Sequence, residues 1–346
     1  MTTKDKVFII AEAGVNHNGD PELLKKLIEI AAESGADAVK FQTFSADRLA
    51  MPGADTAAYQ KRETGEGDQL SMLRKLELSD EMHRLAIEQC AKTGIEFMST
   101  PFDEEALDYL AALGIRRIKV PSGEITNLPF LRACARKVLP IILSTGMAML
   151  EEVVDAAATV RKAWADAGHQ ERPGDLTVLH CTSNYPARTE DSNLRAMATI
   201  AKAVNTAIGY SDHTEGLTVS VAAAALGATV IEKHFTVDRS LPGPDHKASL
   251  EPRELSDMVR QIRIVEGALG DGVKQPNASE LPVRDVVRKS ASLRRPVAAG
   301  APITPEDLIF LRPGTGIAPA HAEKILGMKA ARDLEPHVLL AWEDLV

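Results

Sequence analysis

AIGYSDHTEGLTVSVAAAALGATVIEKH, residues 207–234, contains two short apolar runs that each end in polar groups, with a helical stretch between them. Ala207 to His213 ends in Ser211 and His213, and Val230 to His234 ends in Glu232, Lys233 and His234. Residues 217–226 between them have helical character, so the segment reads as strand, helix, strand. The same grammar extends back to the N-terminus. Phe8 to Glu12 ends in Glu12, Asp37 to Gln42 in Lys40 and Gln42, and Ile95 to Thr100 in Thr100. Arg117 to Glu124 carries Lys119, Ser122 and Glu124, Ile141 to Thr145 carries Ser144, and Thr177 to Tyr185 ends in Ser183 and Tyr185. Helices are predicted at 22–34, 79–93, 103–113, 149–167, 192–203, 217–226 and 252–268, the first capped by Asp20 with Pro21 as its first helical residue. Eight strand–helix units closing on themselves make an α/β chain with a (β/α)8, or TIM, barrel. That fold gathers its reactive groups at the carboxyl ends of the strands.

A barrel needs roughly 250 residues, and the chain has 346. The pattern changes after Leu269. Residues 1–270 are expected to form the barrel, 271–286 a linker, and 287–346 a small separate domain rich in short apolar stretches, proline and glycine. Such a module is marginal alone, and the linker is long enough for it to pack on a second subunit. No apolar stretch is long enough to span a membrane. Residues 1–6 read as a polar lead-in, not a signal peptide. Three scattered cysteines, Cys90, Cys134 and Cys181, make no disulfide framework, so a cytoplasmic location is expected. A net charge of -9 argues against nucleic acid as a partner. The basic run Arg288, Lys289, Arg294 and Arg295 reads as a solvated segment or local anion contact. Residues 45–78, polar and holding Gly53, Gly65 and Gly67, form an unusually long connection. It is either a lid or substrate loop at the barrel mouth or a plain insertion.

His213 and His234 end neighbouring strands, where two imidazoles either share one divalent metal with open positions for water or substrate, or merely hydrogen-bond in the mouth. Thr100, Ser122, Ser144, Ser183 and Ser211, with Lys40 and Lys119, make a ring of hydroxyls and ammonium groups suited to phosphate. Any one of the serines alone reads as a turn residue. Glu12 and Glu124 are carboxylates at strand ends and Asp245 follows the eighth strand, each either orienting hydroxyls and moving protons or capping and pairing. Cys181 lacks partners that would mark a nucleophile and reads as a buried thiol.

These residues come in strings: AEAGVNHNG (11–19), KFQTF (40–44), STPFD (99–103), KVPSGEITN (119–127), LSTGM (143–147), HCTSNYP (180–186), GYSDHT (209–214), EKHFT (232–236), GPDHKASLEP (243–252) and RPGTG (312–316). In this order they resemble the sialic acid synthase family, and the last 60 or so residues resemble its C-terminal antifreeze-like (SAF, β-clip) domain. The resemblance implies condensation of phosphoenolpyruvate with an open-chain N-acetylated amino sugar and water, yielding a nine-carbon 2-keto acid and phosphate. It implies a divalent metal, Mn2+ or Mg2+, on His213 and His234, with Glu12 beside the metal site as a water-orienting group. Lys40, Thr100, Lys119, Ser122, Ser144, Ser183 and Ser211 would hold phosphoenolpyruvate. Gln42, Glu124, Tyr185 and Asp245 would hold the sugar. Arg312 would be lent to a partner subunit's site within a domain-swapped homodimer.

The first expectation for the sugar is N-acetylmannosamine, making the chain an N-acetylneuraminate synthase. Members using that sugar often carry Asn after a Tyr-Gln pair, whereas Tyr59-Gln60 is followed here by Lys61-Arg62-Glu63. The alternative is therefore 2,4-diacetamido-2,4,6-trideoxymannose, leading to N,N'-diacetyllegionaminate. Two other classes compete: a metal-free Schiff-base pyruvate aldolase with Lys119 as nucleophile, and a non-catalytic carbohydrate-binding protein.

Overall fold

In six strands an inward-facing apolar side chain is followed, two residues later, by a different kind of group, because side chains alternate with period two. The computed structural model describes residues 6–51 and 69–346. Gly53, Gly65, Gly67 and Tyr59 to Glu63 of the long connection lie outside the described residues.

Eight parallel strands form one sheet: β1 (Phe8–Gly14), β2 (Ala38–Thr43), β3 (Glu96–Pro101), β4 (Ile118–Val120), β5 (Ile141–Ser144), β6 (Leu176–Cys181), β7 (Ala207–Asp212) and β8 (Val230–His234). Their order is β3-β2-β1-β8-β7-β6-β5-β4. β3 and β4 lie side by side without a hydrogen-bonded ladder, so the TIM-like barrel is nearly closed. Ile10, Ala38, Met98, Ile142, Leu179 and Val230 fill its interior as an apolar plug, and a larger core lies between strands and helices. Two positions beyond the plug residues stand Glu12, Lys40, Thr100, Ser144, Cys181 and Glu232. The plug thus sets the depth at which the polar residues begin.

Two strands are shorter than expected. β4 stops before Pro121, which has no N–H for a ladder, and Ser122 and Glu124 sit on a 3-10 turn, Ser122–Glu124. β6 stops at Cys181, so Ser183 and Tyr185 lie in the following loop. The helix Leu128–Arg136, capped by Asn127, was not anticipated. Elsewhere local chemistry behaves as read: Asp20 caps the helix Pro21–Glu33 by accepting from the N–H groups of Glu22 and Leu23.

The long connection is anchored at both roots. The short helices Ala46–Leu49 and Gln69–Arg74 share a small apolar cluster of Val15, Phe44 and Leu76 with Phe102. Arg74 pairs with Asp47 at 2.6 Å, and Arg48 with Asp103 at 2.9 Å.

The chain divides into two compact units, Met1–Gly270 and Asp271–Val346. The expected linker 271–286 includes most of a short helix, Leu281–Val287, none of whose residues is buried. In the second unit β9 (Ser290–Leu293) pairs antiparallel with β10 (Leu308–Leu311) over a core that includes Leu293, Ile303, Ile317 and Leu340. Arg312 follows β10 directly. Among the described residues no helix is long and apolar enough to cross a membrane.

Candidate active site

The register of three adjacent strands assembles the charged floor. β1 sets Glu12 level with Lys40 of β2 on one side and with His234 of β8 on the other. Lys40 Nζ lies 2.6 Å from Glu12 Oε2, 3.5 Å from Glu232 Oε2, and donates to Thr100 Oγ1 at 2.9 Å. Lys119 Nζ lies 3.3 Å from Glu232 Oε1, which also accepts from Ser211 Oγ at 2.8 Å. All these side chains are buried. Above them opens a cavity of about 470 Å³ lined by Glu12, Lys40, Gln42, Thr100, Lys119, Ser122, Ser144, Ser183, Tyr185, Ser211, His213, Glu232 and His234, with Gln69, Phe102 and Met147 toward the mouth.

Burial pushes the Glu12 carboxyl up to about 7, against the pull of Lys40. Burial also works to raise Glu232, but Lys119, Lys40 and the Ser211 hydroxyl outweigh it and hold that carboxyl far below its ordinary value. Burial lowers Lys119. It would lower Lys40 too, yet Glu12 and Glu232 raise it on balance. The floor therefore sets two lysines against one firmly ionised carboxylate, an arrangement with capacity for an incoming anion. Ser144 Oγ is buried with no hydrogen-bond partner, an unused donor facing that space.

Gly146 shows how tightly the anion end is packed. A Cβ there would stand 2.1 Å from Ser183 Oγ, 2.9 Å from Ser122 Oγ and 3.2 Å from Cys181 Sγ. Its N–H donates to Ser122 Oγ at 2.9 Å, and Ser122 meets the buried Cys181 thiol at 3.2 Å. Gly146→Ala should force both serines aside. Overpacking of about 1–3 kcal/mol predicts inorganic phosphate bound about tenfold or more weakly. Calorimetric titration with phosphate would read it, and unchanged binding would mean that the serines do not line an anion site.

His213 Nδ1 is 2.6 Å from the Thr182 carbonyl, so that nitrogen carries the proton and Nε2 keeps its lone pair. The His213 and His234 rings lie 5.7 Å apart, and Tyr185 stacks 4.1 Å from His213. Burial depresses both imidazoles, His213 to about 4 and His234 well below its usual range, helped by His213 and Lys40. His234 Nδ1 is buried without a hydrogen-bond partner, 3.8 Å from Asp245 Oδ2. A Cβ on Gly14, whose φ is +52°, would lie 3.3 Å from both Glu12 Oε1 and His234 Cε1 and 3.4 Å from Asp245 Oδ2, so three functional groups converge on that glycine. Among the described residues no group of three or more His, Cys, Asp or Glu side chains forms a ready metal cage. Two neutral imidazoles with one orphaned buried nitrogen nonetheless fit a divalent ion that keeps open positions.

The remaining expected sugar contacts divide. Gln42 Nε2 donates to Glu12 Oε1 at 3.3 Å on the cavity wall. Asp245 is buried beside His234, and burial pushes its carboxyl up to about 6. Neither Asp245 nor Glu124 is among the residues that line the cavity, and Glu124 Oε2 accepts from Asn127 Nδ2 at 2.6 Å, on the turn after β4. Sequence reasoning gave no role to Glu232 or Gln69. Glu232 was detectable, because it stands two residues before His234 on the same strand and so shares its face. Gln69 carried no signal, since only the fold of the long connection brings it to the mouth.

The model of the NeuB family matches residues 27–274, and that of the SAF domain matches residues 288–346. The chain is 52% identical to the N,N'-diacetyllegionaminic acid synthase of Legionella pneumophila, over 98% of this chain and 94% of the relative. It is 46% identical to the N,N'-diacetyllegionaminic acid synthase of Campylobacter jejuni, over 97% of this chain and 99% of the relative. Among solved structures, an N-acetylneuraminic acid (sialic acid) synthetase from Leptospira borgpetersenii, in complex with citrate, shares 35% identity at a TM-score of 0.68, covering 80% of this chain and 90% of that one. With a lysine-and-hydroxyl floor beneath paired histidines and a family match over most of its length, this chain belongs to the NeuB family.

Proposed function

We propose that the chain is a phosphoenolpyruvate-dependent synthase that condenses the donor with 2,4-diacetamido-2,4,6-trideoxymannose and water, giving N,N'-diacetyllegionaminate and inorganic phosphate. The observation that supports the chemistry best is the buried pair Lys40 and Lys119, lining one cavity with Thr100, Ser122, Ser144, Ser183 and Ser211 and with two neutral histidines. For the sugar, the two relatives named for N,N'-diacetyllegionaminic acid favour the diacetamido substrate over the N-acetylmannosamine of the first expectation.

The lysines and hydroxyls bind the carboxylate and phosphate of the donor and hold its C3 toward the mouth. Gln42, Gln69, Tyr185 and Asp245 orient the sugar so that its aldehyde carbon faces C3. A divalent ion, Mn2+ or Mg2+, held by His213 and His234 would supply Lewis-acid polarisation of that aldehyde. The new C–C bond joins C3 to the aldehyde carbon, C2 becomes electron-poor, and water adds there. Glu12, between Gln42 and Lys40, positions the water and takes its proton. The C2–O bond then breaks, and phosphate leaves with the bridging oxygen. Of the two water protons, one ends on the new hydroxyl and one on phosphate. Glu124, hydrogen-bonded to Asn127 on the turn after β4, stays a proposed contact to the sugar. Arg312 and a domain-swapped homodimer remain part of the proposal: an Arg312→Ala protein mixed with a His234→Ala protein should regain activity if the arm works between subunits, and verified heterodimers without rescue would place it within one.

The test is phosphate release from phosphoenolpyruvate with Mn2+ and each sugar in parallel. Release with the diacetamido sugar, stopped by chelator and restored by Mn2+, is expected. Preference for N-acetylmannosamine would move the chain to the neuraminate branch, and chelator-resistant turnover would remove the metal.

A further inference from the structure

Ser211 on β7, His213 just past its end, and Glu232 and His234 on β8 face the cavity. The residues between them, Asp212 and Lys233, point the other way, toward the helix layer, and no step of the proposed chemistry uses them. Their side chains are 0% exposed and pair at 3.1 Å. Asp212 Oδ2 accepts from Ser220 Oγ at 2.6 Å, on the helix Thr218–Ala225. Asp212 Oδ1 accepts from Thr214 N at 2.9 Å and from Thr214 Oγ1 at 2.8 Å. Lys233 Nζ donates to the Thr214 carbonyl. Thr214 is therefore held at its N–H, its hydroxyl and its carbonyl, while the carbonyl of His213 accepts from Ala187 N at 2.8 Å.

The consequence is a clamp across two strands. The residue before His234 grips the residue after His213, and the residue before His213 grips the residue before His234. The geometry points to Asp212 and Lys233 as a positioning pair that sets the spacing of His213 and His234 from behind. Packing alone does not demand this chemistry, because apolar residues of similar volume often replace buried ion pairs without loss. What charge and directed hydrogen bonds add is a fixed distance between two strand ends. Groups that orient metal-binding histidines typically change metal affinity 10- to 100-fold when removed. The inference rests on the reading that the two histidines hold a divalent ion.

The test is calorimetric titration of the full chain with Mn2+ and no substrate. Wild type, Lys233→Met, Thr214→Val and His234→Ala would be compared, each checked for folding by circular dichroism. Lys233→Met should weaken Mn2+ binding about 10- to 100-fold, with a KM for phosphoenolpyruvate, taken at saturating Mn2+, within about twofold of wild type. Thr214→Val removes one donor and keeps the ion pair, so its loss should be smaller but in the same direction. It serves as the readout if Lys233→Met fails to fold. Wild-type Mn2+ affinity in a folded clamp variant, while His234→Ala loses it, would overturn the clamp alone. Binding absent from wild type, or retained by His234→Ala, would overturn the histidine reading and the clamp together.

Discussion

Lys119→Met should lower kcat/KM for phosphoenolpyruvate about 10³-fold while the barrel stays folded. Lys119 Nζ lies 3.3 Å from Glu232 Oε1, and its removal has two effects. The donor loses one of two buried cations, and Glu232 keeps Lys40, at 3.5 Å, and the Ser211 hydroxyl but loses its nearer lysine, so its negative charge turns against the incoming anion. Losing one member of a buried charged contact costs about 2–5 kcal/mol, and each 1.36 kcal/mol is about tenfold in rate. Lys119→Arg should not rescue, because a planar guanidinium cannot replace a compact ammonium in a closed floor. The same residue separates the synthase from a Schiff-base aldolase. Borohydride with pyruvate would attach the three-carbon unit to Lys119 in an aldolase, and mass spectrometry should find none. A labelled Lys119, or a Lys119→Met enzyme within tenfold of wild type, would sink the assignment of this lysine.

His234→Ala should cost about 10³-fold or more in kcat, the several kcal/mol that metal polarisation of a carbonyl supplies. The fold should survive. His234 is buried at the mouth, above the apolar plug, and its Nδ1 has no hydrogen-bond partner to lose. A thermal midpoint within a few degrees of wild type, with no gain in phosphate release on adding Mn2+, is the expected combination. Full activity would show that the paired histidines do not hold the ion, and a collapsed midpoint would show that they serve the fold first.

The barrel and most of its chemistry were legible because strand ends and inward faces obey one rule. Ile10 with Glu12, Ala38 with Lys40, Met98 with Thr100 and Ile142 with Ser144 are each an apolar plug residue followed two places later by a residue that lines the cavity. Register could not be read from one chain, so the meeting of Lys40 with Glu12 and of Lys119 with Glu232 was invisible. Ser183 and Tyr185 were placed on a strand because they follow its apolar run closely, but Thr182, Ser183 and Asn184 are polar and the ladder ends at Cys181. Glu124 was assigned by resemblance, and a neighbour within its own turn, Asn127, takes its carboxylate. Lys233 looked like one more strand-end cation. Its place between Glu232 and His234 already puts it on the other face, and the pairing with Asp212 shows what it meets there.

The difference between the crowded floor and the open rim bears on how such a catalyst can diverge. Below, Glu12, Lys40, Lys119, Ser211 and Glu232 are partners of one another, so a change at any one strands a buried charge, and drift there requires simultaneous substitutions. Above, Gln69, Phe102 and Met147 line the mouth apart from that interlocked set, and Gln42 touches it through one hydrogen bond to Glu12 at 3.3 Å. A descendant can exchange one acceptor sugar for another through single, separately tolerable steps while its three-carbon donor stays the same.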